Sequence, residues 1–270
     1  MRAASFVAAR LSAQALAAYP GAQPGDLAEA YGVQDAAIDQ WPDEIAGWKI
    51  GLVAPEQRAI FGEARIAGPI FKKNIQTARA GAPASLAVIA GGFAAVEAEF
   101  VLRVARDTPA DKHVWTPDEA AACVDAMHIG VELAGSPLRA INDLGPAVTV
   151  SDFGNNAGLV LGGEIKNWRA IPWPLLTTES FVDGASVGRG SAAIVPGGPF
   201  AALAFIFAHA ASRGRPVRRG QLISTGATTG VHLIEAGQTA RCDFAAYGEI
   251  LCRAVEAQPR KVKKKAAASG

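Results

Sequence analysis

The chain of 270 residues has few cysteines, almost no charge imbalance and no long uncharged apolar run. Each of these absences removes a class of function. The three cysteines, Cys123, Cys242 and Cys252, are odd in number and show no C-x-x-C spacing. They suggest neither a disulfide framework nor a zinc site, and small buried thiols in a reducing cytoplasm fit them best. Twenty-six basic and 25 acidic residues leave a formal net charge of +1. Such balance gives no reason to expect nucleic acid as a partner. No stretch reaches the roughly 18 apolar residues that a spanning helix needs, so no membrane partner is expected. The opening MRAASFVAARLSAQALAAYP is interrupted by Arg10 and Gln14. It reads as an alanine-rich amphipathic helix rather than a signal peptide. No G-x-G-x-x-G follows a strand pattern, which argues against a dinucleotide fold.

What is present is a large apolar fraction, 50% of residues, enough for a sizeable core. The first 45 or so residues read as helical, broken at Pro20–Gly21 and Pro24–Gly25, with Asp26 as the cap of a second helix running to about Gln40. From Trp48 the texture changes to short apolar runs between Gly and Pro punctuation: GWKIGLV, AGPIF, SLAVIAGGF and VEAEFVLRVA, all strand-like. The spacing in TPDEAAACVDAMHIGVELA (116–134) predicts a helix with Thr116 as cap and Pro117 in its first turn. GLVLGGEI reads as a strand, SFVDGASVGRG as two strands about an Asp-Gly turn, and PFAALAFIFAHAASRG as a helix. An all-strand finish follows to about residue 255. Helices early and strands late indicate an α+β fold rather than a doubly wound sheet. The expected organisation is a helical portion over 1–45, a catalytic domain over 46–257 and a basic disordered tail over 258–270, ending RKVKKKAAASG.

Two acids stand out. Glu97 and Glu99 sit two apart in the apolar run GGFAAVEAEFVL. Strand side chains alternate, so both carboxylates project to one face while Val96, Ala98 and Phe100 project to the other. On spacing alone the pair reads either as solvent-facing acids on a half-exposed strand or as acids sharing a proton or a cation. Glu132, in HIGVELAGSPL, is a third acid among apolar neighbours. Such an acid either caps something or faces a polar cavity, and three of them make a cluster for a hard divalent cation one of the open readings.

The ordered pieces AGWKIGL, GPIF, VEAEFVLRVARD, GVELAGSPL, SDFGNNAGLVLGG, GASVGRGS and QLISTGATTG resemble the 2-keto-4-pentenoate hydratase group of the fumarylacetoacetate hydrolase superfamily, which also holds 4-oxalocrotonate decarboxylases. The resemblance runs from about residue 45 to 255. It implies a mixed β-roll or sandwich core with an N-terminal helical portion. It also implies a Mg²⁺ or Mn²⁺ site with Glu97, Glu99 and Glu132 as ligands. The implied activity is that of a lyase, a hydratase first and a decarboxylase second, on a small 2-oxo or 2-hydroxy-dienoic acid of aromatic or related carbon catabolism. An acylpyruvate hydrolase, an oxaloacetate decarboxylase or a divergent member without hydratase activity are the alternatives. A cytoplasmic homo-oligomer, associated or not with another enzyme of its pathway, is expected by the same analogy.

The resemblance extends to supporting residues. Lys49, in GWKIG, matches a family lysine near the site, able to pair with a carboxylate or transfer a proton. Lys73, with Lys72 beside it in GPIFKKNI, stands where many hydratases carry an aspartate. Such a cation would suit a second carboxylate on the substrate, mark a loss of ordinary hydration, or simply sit in a surface loop. Asp152, in SDFGNN, matches a family acid, and Asn155 and Asn156 replace the small hydroxyls often found after it. Amides there can donate to a substrate carboxylate or shape a turn. Thr225, Gly226, Ala227 and Thr228 form a glycine-containing loop whose backbone N–H groups can approach an anion. The implied roles are catalytic for Lys49, Lys73 and Asp152, and substrate-binding for Lys72, Asn155, Asn156 and residues 225–228.

Overall fold

A computed structural model describes residues 1–260 of the chain. The basic tail expected over 258–270 lies, from residue 261 onward, outside the described residues. Six α-helices occur among the described residues: α1 (Arg2–Ser12), α2 (Leu27–Gln40), α3 (Pro55–Phe61), α4 (Pro117–Ala121), α5 (Pro146–Ser151) and α6 (Gly198–Ser212). The strands are β1 (Ile45–Leu52), β2 (Arg65–Phe71), β3 (Ile75–Thr77), β4 (Ala84–Val88), β5 (Phe93–Val104), β6 (Val124–Ser136), β7 (Asn156–Glu164), β8 (Thr177–Val182), β9 (Ala185–Ser191), β10 (Leu222–Ser224), β11 (His232–Leu233), β12 (Thr239–Asp243) and β13 (Glu249–Glu256). Asp26 caps α2 by accepting from the Glu29 N–H, and Thr116 forms a capping box with Glu119 at α4.

The strands form two mixed sheets. The larger runs β2-β1-β10-β5-β6-β7-β3, with β11 paired to β5, and the smaller runs β4-β13-β12-β8-β9. The pairs β1/β10, β3/β7 and β13/β4 are parallel and the others antiparallel. This is the α+β architecture expected from the sequence. The main core lies between the sheets, where Val96, Ala98, Phe100 and Leu102 of β5 pack with Leu86, Cys242, Ile250 and Cys252 and with Leu203, Ile206 and Phe207 of α6. All three cysteines are free and buried. The helices α1 and α2 close a second cluster, in which Val7, Val33 and Ile38 meet Trp41, Phe71 and Phe153.

One expected element is wrong. The helix predicted over 116–134 stops after five residues, and β6 takes over from Val124. The capping signal is real, but it nucleates only a single turn. Beyond it, Val124, Ile129, Gly130, Val131 and Gly135 are poor helix formers. Nearly every residue of the strand is buried, on both of its faces, so it lacks the alternation that marks a half-exposed strand.

The larger sheet is strongly curled. β1 and β6 are three steps apart along the ladder, about 14 Å in a flat sheet. Yet the Lys49 ammonium of β1 lies 3.5 Å from Glu132 Oε1 of β6. The curl is closed on the far side where Gly68 of β2 meets the segment before β7. A Cβ on Gly68 would stand 1.9 Å from the Phe153 carbonyl oxygen, so only glycine permits this approach.

Candidate metal centre

The curl gathers one face of four strands. Glu97 pairs directly with Glu132 across β5 and β6, and Glu99 lies two residues along on the same face. Ser224 is the register partner of both Val101 and Lys49, which puts it and the lysine on that face too. The result is a cluster of three carboxylates, each with an oxygen within 4.8 Å of the others. Glu99 and Glu132 have no exposed surface, Glu97 is 6% exposed and Lys49 4% exposed. Ile70, Val101, Leu159 and Leu222 form an apolar cluster beside them.

Three like charges in an apolar setting need compensation. Part of it is present. Lys49 pairs with Glu132. Asn156 Nδ2 donates to Glu132 Oε1 at 3.0 Å, and the Gly226 N–H donates to Glu99 Oε2 at 2.9 Å. Part of it is missing. Glu99 Oε1 and Glu132 Oε2 are buried with no donor, and Asn156 Oδ1 and Ser224 Oγ are buried with no partner. The electrostatics agree. Burial pushes the Glu97 carboxyl up to about 7, with Lys49 opposing and Glu132 adding to the rise. Burial, then Glu132 and Glu97, raise Glu99 well above the carboxylate range. For Lys49 burial alone would lower the pKa, but Glu132, Glu97 and Glu99 outweigh it and hold the ammonium charged. Carboxylates crowded in this way either take up protons or share a cation. The unmet oxygens and the all-oxygen donor set fit a hard divalent ion such as Mg²⁺ or Mn²⁺.

The remaining sequence-chosen residues are distributed unevenly. Asn156 is in the cluster. The loop over residues 225–228 lies along β5, where Thr225 Oγ1 donates to the Phe100 carbonyl and Thr228 Oγ1 to the Ala98 carbonyl. These hydroxyls are committed to the backbone, and the Gly226 N–H is the group the loop presents to the acids. Ala227 is half-buried between them. Asn155 points away from the acids, its Nδ2 donating to Asn142 Oδ1 at 3.0 Å. Phe153, Gly154 and Asn155 all have positive φ, near 57°, a left-handed turn that sets up the direction of Asn156.

Asp152, Lys72 and Lys73 are not brought to the carboxylates. Asp152 is held by the Arg10 guanidinium, Nε to Oδ1 at 2.5 Å and Nη2 to Oδ2 at 2.9 Å, and by the Ser136 hydroxyl at 2.6 Å. It acts as a buried strut between α1 and the ends of β6 and β7. Lys72 pairs with Glu44, and the Lys73 ammonium, 68% exposed, reaches the Pro42 carbonyl and Asp43. The charges that shift Glu97 are Lys49 and Glu132, and those that shift Glu99 are Glu132 and Glu97. Sequence reasoning missed Ser224, which lies in the site, and Arg10, which holds Asp152 outside it. The first gives no sequence signal at all. The second could have been suspected as a charge set among the apolar residues near the end of α1.

No family model matches the sequence. A curated relative, named 2-keto-4-pentenoate hydratase, from Burkholderia vietnamiensis (strain G4 / LMG 22486), is 28% identical over 229 residues, 84% of this chain and 85% of the relative. A protein named 4-oxalocrotonate decarboxylase, from a Pseudomonas species, is 31% identical over 135 residues, 50% of this chain and 52% of that protein. Among solved structures, the 4-oxalocrotonate decarboxylase of Pseudomonas putida G7, complexed with magnesium and adipate, superposes with a TM-score of 0.77 at 21% identity, covering 94% of this chain and 95% of that one. The chain therefore has the α+β fold of the fumarylacetoacetate hydrolase superfamily, and its curated relatives carry the names of a hydratase and a decarboxylase, both lyases.

Proposed function

We propose that the protein is a divalent-metal-dependent lyase acting on a small 2-oxo or 2-hydroxy-dienoic acid, as a 2-keto-4-pentenoate hydratase does. The observation that carries this reading is the trio of buried carboxylates with unmet oxygens beside a buried, charged lysine. Glu97, Glu99 and Glu132 would hold the ion. Bound there, it would supply Lewis-acid stabilisation of negative charge developing on a substrate oxygen. Lys49 does the chain's own part. Its ammonium is fixed among the acids, able to hold a substrate carboxylate or to give a proton to a neighbouring oxygen. Asn156 keeps Glu132 oriented through its Nδ2 and leaves its Oδ1 free to accept from a substrate hydroxyl or water. The apolar cluster of Ile70, Val101, Leu159 and Leu222 suits an unsaturated carbon chain and lowers the local dielectric.

A 4-oxalocrotonate-type decarboxylase is the second reading. It is favoured by the likeness over nearly the full chain to a solved enzyme of that name. One experiment separates the two. The purified protein with Mg²⁺ is incubated with 2-hydroxypenta-2,4-dienoate and, separately, with 2-oxohex-3-enedioate, and the loss of dienol or enone absorbance is followed. Turnover of the first alone supports the hydratase, and release of CO₂ from the second supports the decarboxylase. Folded, metal-loaded protein that turns over neither would rule out both. Lys49→Met should lower turnover by about 10²- to 10⁴-fold, the usual loss on removing a proton-transferring group.

A further inference from the structure

We propose that Ser224 is a positioning residue for Glu99, its hydroxyl and the Gly226 N–H forming a two-donor clamp that aims the carboxylate at the cation. This rests on the metal reading given above.

Among the described residues four serines are buried, Ser136, Ser151, Ser180 and Ser224. The first three have bonded hydroxyls: Ser136 donates to Asp152, Ser151 to the Ala147 carbonyl, and Ser180 meets Thr229. Ser224 has no exposed surface and its Oγ has no partner. A buried hydroxyl left without a partner costs about 1–3 kcal/mol, so alanine would be the more stable choice at a purely structural position. The strand register fixes where the hydroxyl points. Ser224 lies between Lys49 on β1 and Val101 on β5, on the face that carries the acids. Its hydroxyl lies close enough to the Glu99 carboxylate to pull that group's pKa down, as a hydrogen bond would, although the contact falls short of full hydrogen-bond geometry.

Two residues further along, the Gly226 N–H already holds Glu99 Oε2. This donor is rigid for two reasons. The Thr225 and Thr228 hydroxyls on either side are bonded to backbone carbonyls of β5, and Gly226 has φ of +120°, which other residues rarely adopt. A small rotation of the Ser224 hydroxyl or of the carboxylate completes the second bond and leaves Glu99 Oε1, now without a donor, as the ligand oxygen. Partners of this kind orient a ligand and set how tightly the ion is held.

The test is calorimetric titration of Mn²⁺ into the chelator-treated full chain, for the wild type, Ser224→Ala and Ser224→Thr. The clamp predicts about 10-fold weaker Mn²⁺ binding for the alanine variant, at the low end of such orienting partners. It predicts affinity within about 3-fold of wild type for the threonine variant, which keeps the hydroxyl on a residue suited to strands. It also predicts that Ser224→Ala melts in chelator no lower than the wild type. Equal Mn²⁺ affinity in the wild type and Ser224→Ala overturns the clamp and leaves the metal reading standing. A lowered melting temperature in chelator, with Thr failing to restore affinity, also overturns it, because the hydroxyl is then only structural. Absence of Mn²⁺ binding by the folded wild type removes the metal reading itself, and the clamp with it.

Discussion

Replacing Arg10 by Met should destabilise the protein severely although no proposed ligand is touched. Arg10 and Asp152 side chains are 7% and 0% exposed. The guanidinium donates to both Asp152 carboxylate oxygens and also to the carbonyls of Asn156 and Gly135, at 3.0 and 2.8 Å. Without it, Asp152 keeps only the Ser136 hydroxyl as a side-chain donor, and two strand-end carbonyls lose their bonds. Breaking a buried pair from one side costs about 3–5 kcal/mol, because an uncompensated charge is left behind. At about 2–4 °C per kcal/mol for a chain of this size, the melting temperature should fall by roughly 6–20 °C. Removing both charges is different. Arg10→Met/Asp152→Leu replaces the pair with apolar groups of similar size and should recover most of the loss. The assay is thermal or urea unfolding of the wild type, both single variants and the double variant, read as a double-mutant cycle. A single variant that costs less than about 1 kcal/mol, or a double variant as unstable as the worse single, would refute the strut.

Three further outcomes follow from the geometry. Lys73→Ala should change stability by no more than about 0.5 kcal/mol and leave turnover intact, because its ammonium lies on the surface against Pro42 and Asp43. A large rise in KM would show that Lys73 serves the substrate after all. Gly68→Ala should cost several kcal/mol or abolish folding, since its Cβ would press into the Phe153 carbonyl, and urea unfolding measures it. Glu97, raised from 4.5 to about 7, binds a proton in the folded state that the unfolded chain releases. In chelator, therefore, its contribution makes stability fall as pH rises from about 4.5 to 7, and Glu97→Gln should flatten that slope. Cation affinity should rise over the same window, because the proton must leave before the ion binds. A pH-independent cation affinity would contradict this.

The legible parts of the site were those set by local period. Alternation in VEAEF puts Glu97 and Glu99 on one face from the residues alone, and the structure keeps them there. Glu132 is legible as an oddity, although the pattern around it reads as helix. A strand buried on both faces has no polar face to alternate with, and the capping box at Thr116 is a true signal for a helix of a single turn. Lys49 became meaningful only through the resemblance, because the curl that carries it to Glu132 is a property of the whole sheet. Asp152 could not be assigned a partner from sequence, since Arg10 lies 142 residues away. Lys72 and Lys73 show the reverse limit. Their position in the motif suggested chemistry, while Asp43 and Glu44, about 30 residues earlier, draw them outward.

The proposed chemistry depends on three buried glutamates holding one divalent ion. Thermal unfolding of chelator-treated protein against increasing Mg²⁺ or Mn²⁺ tests it most directly, with Glu97→Ala and Glu99→Gln alongside. At an ion concentration 100 times Kd, binding adds about 2.7 kcal/mol, a rise in melting temperature of roughly 5–11 °C. The wild type should show that rise, and both variants should lose it. A wild type that does not respond, or variants that respond equally, would contradict it.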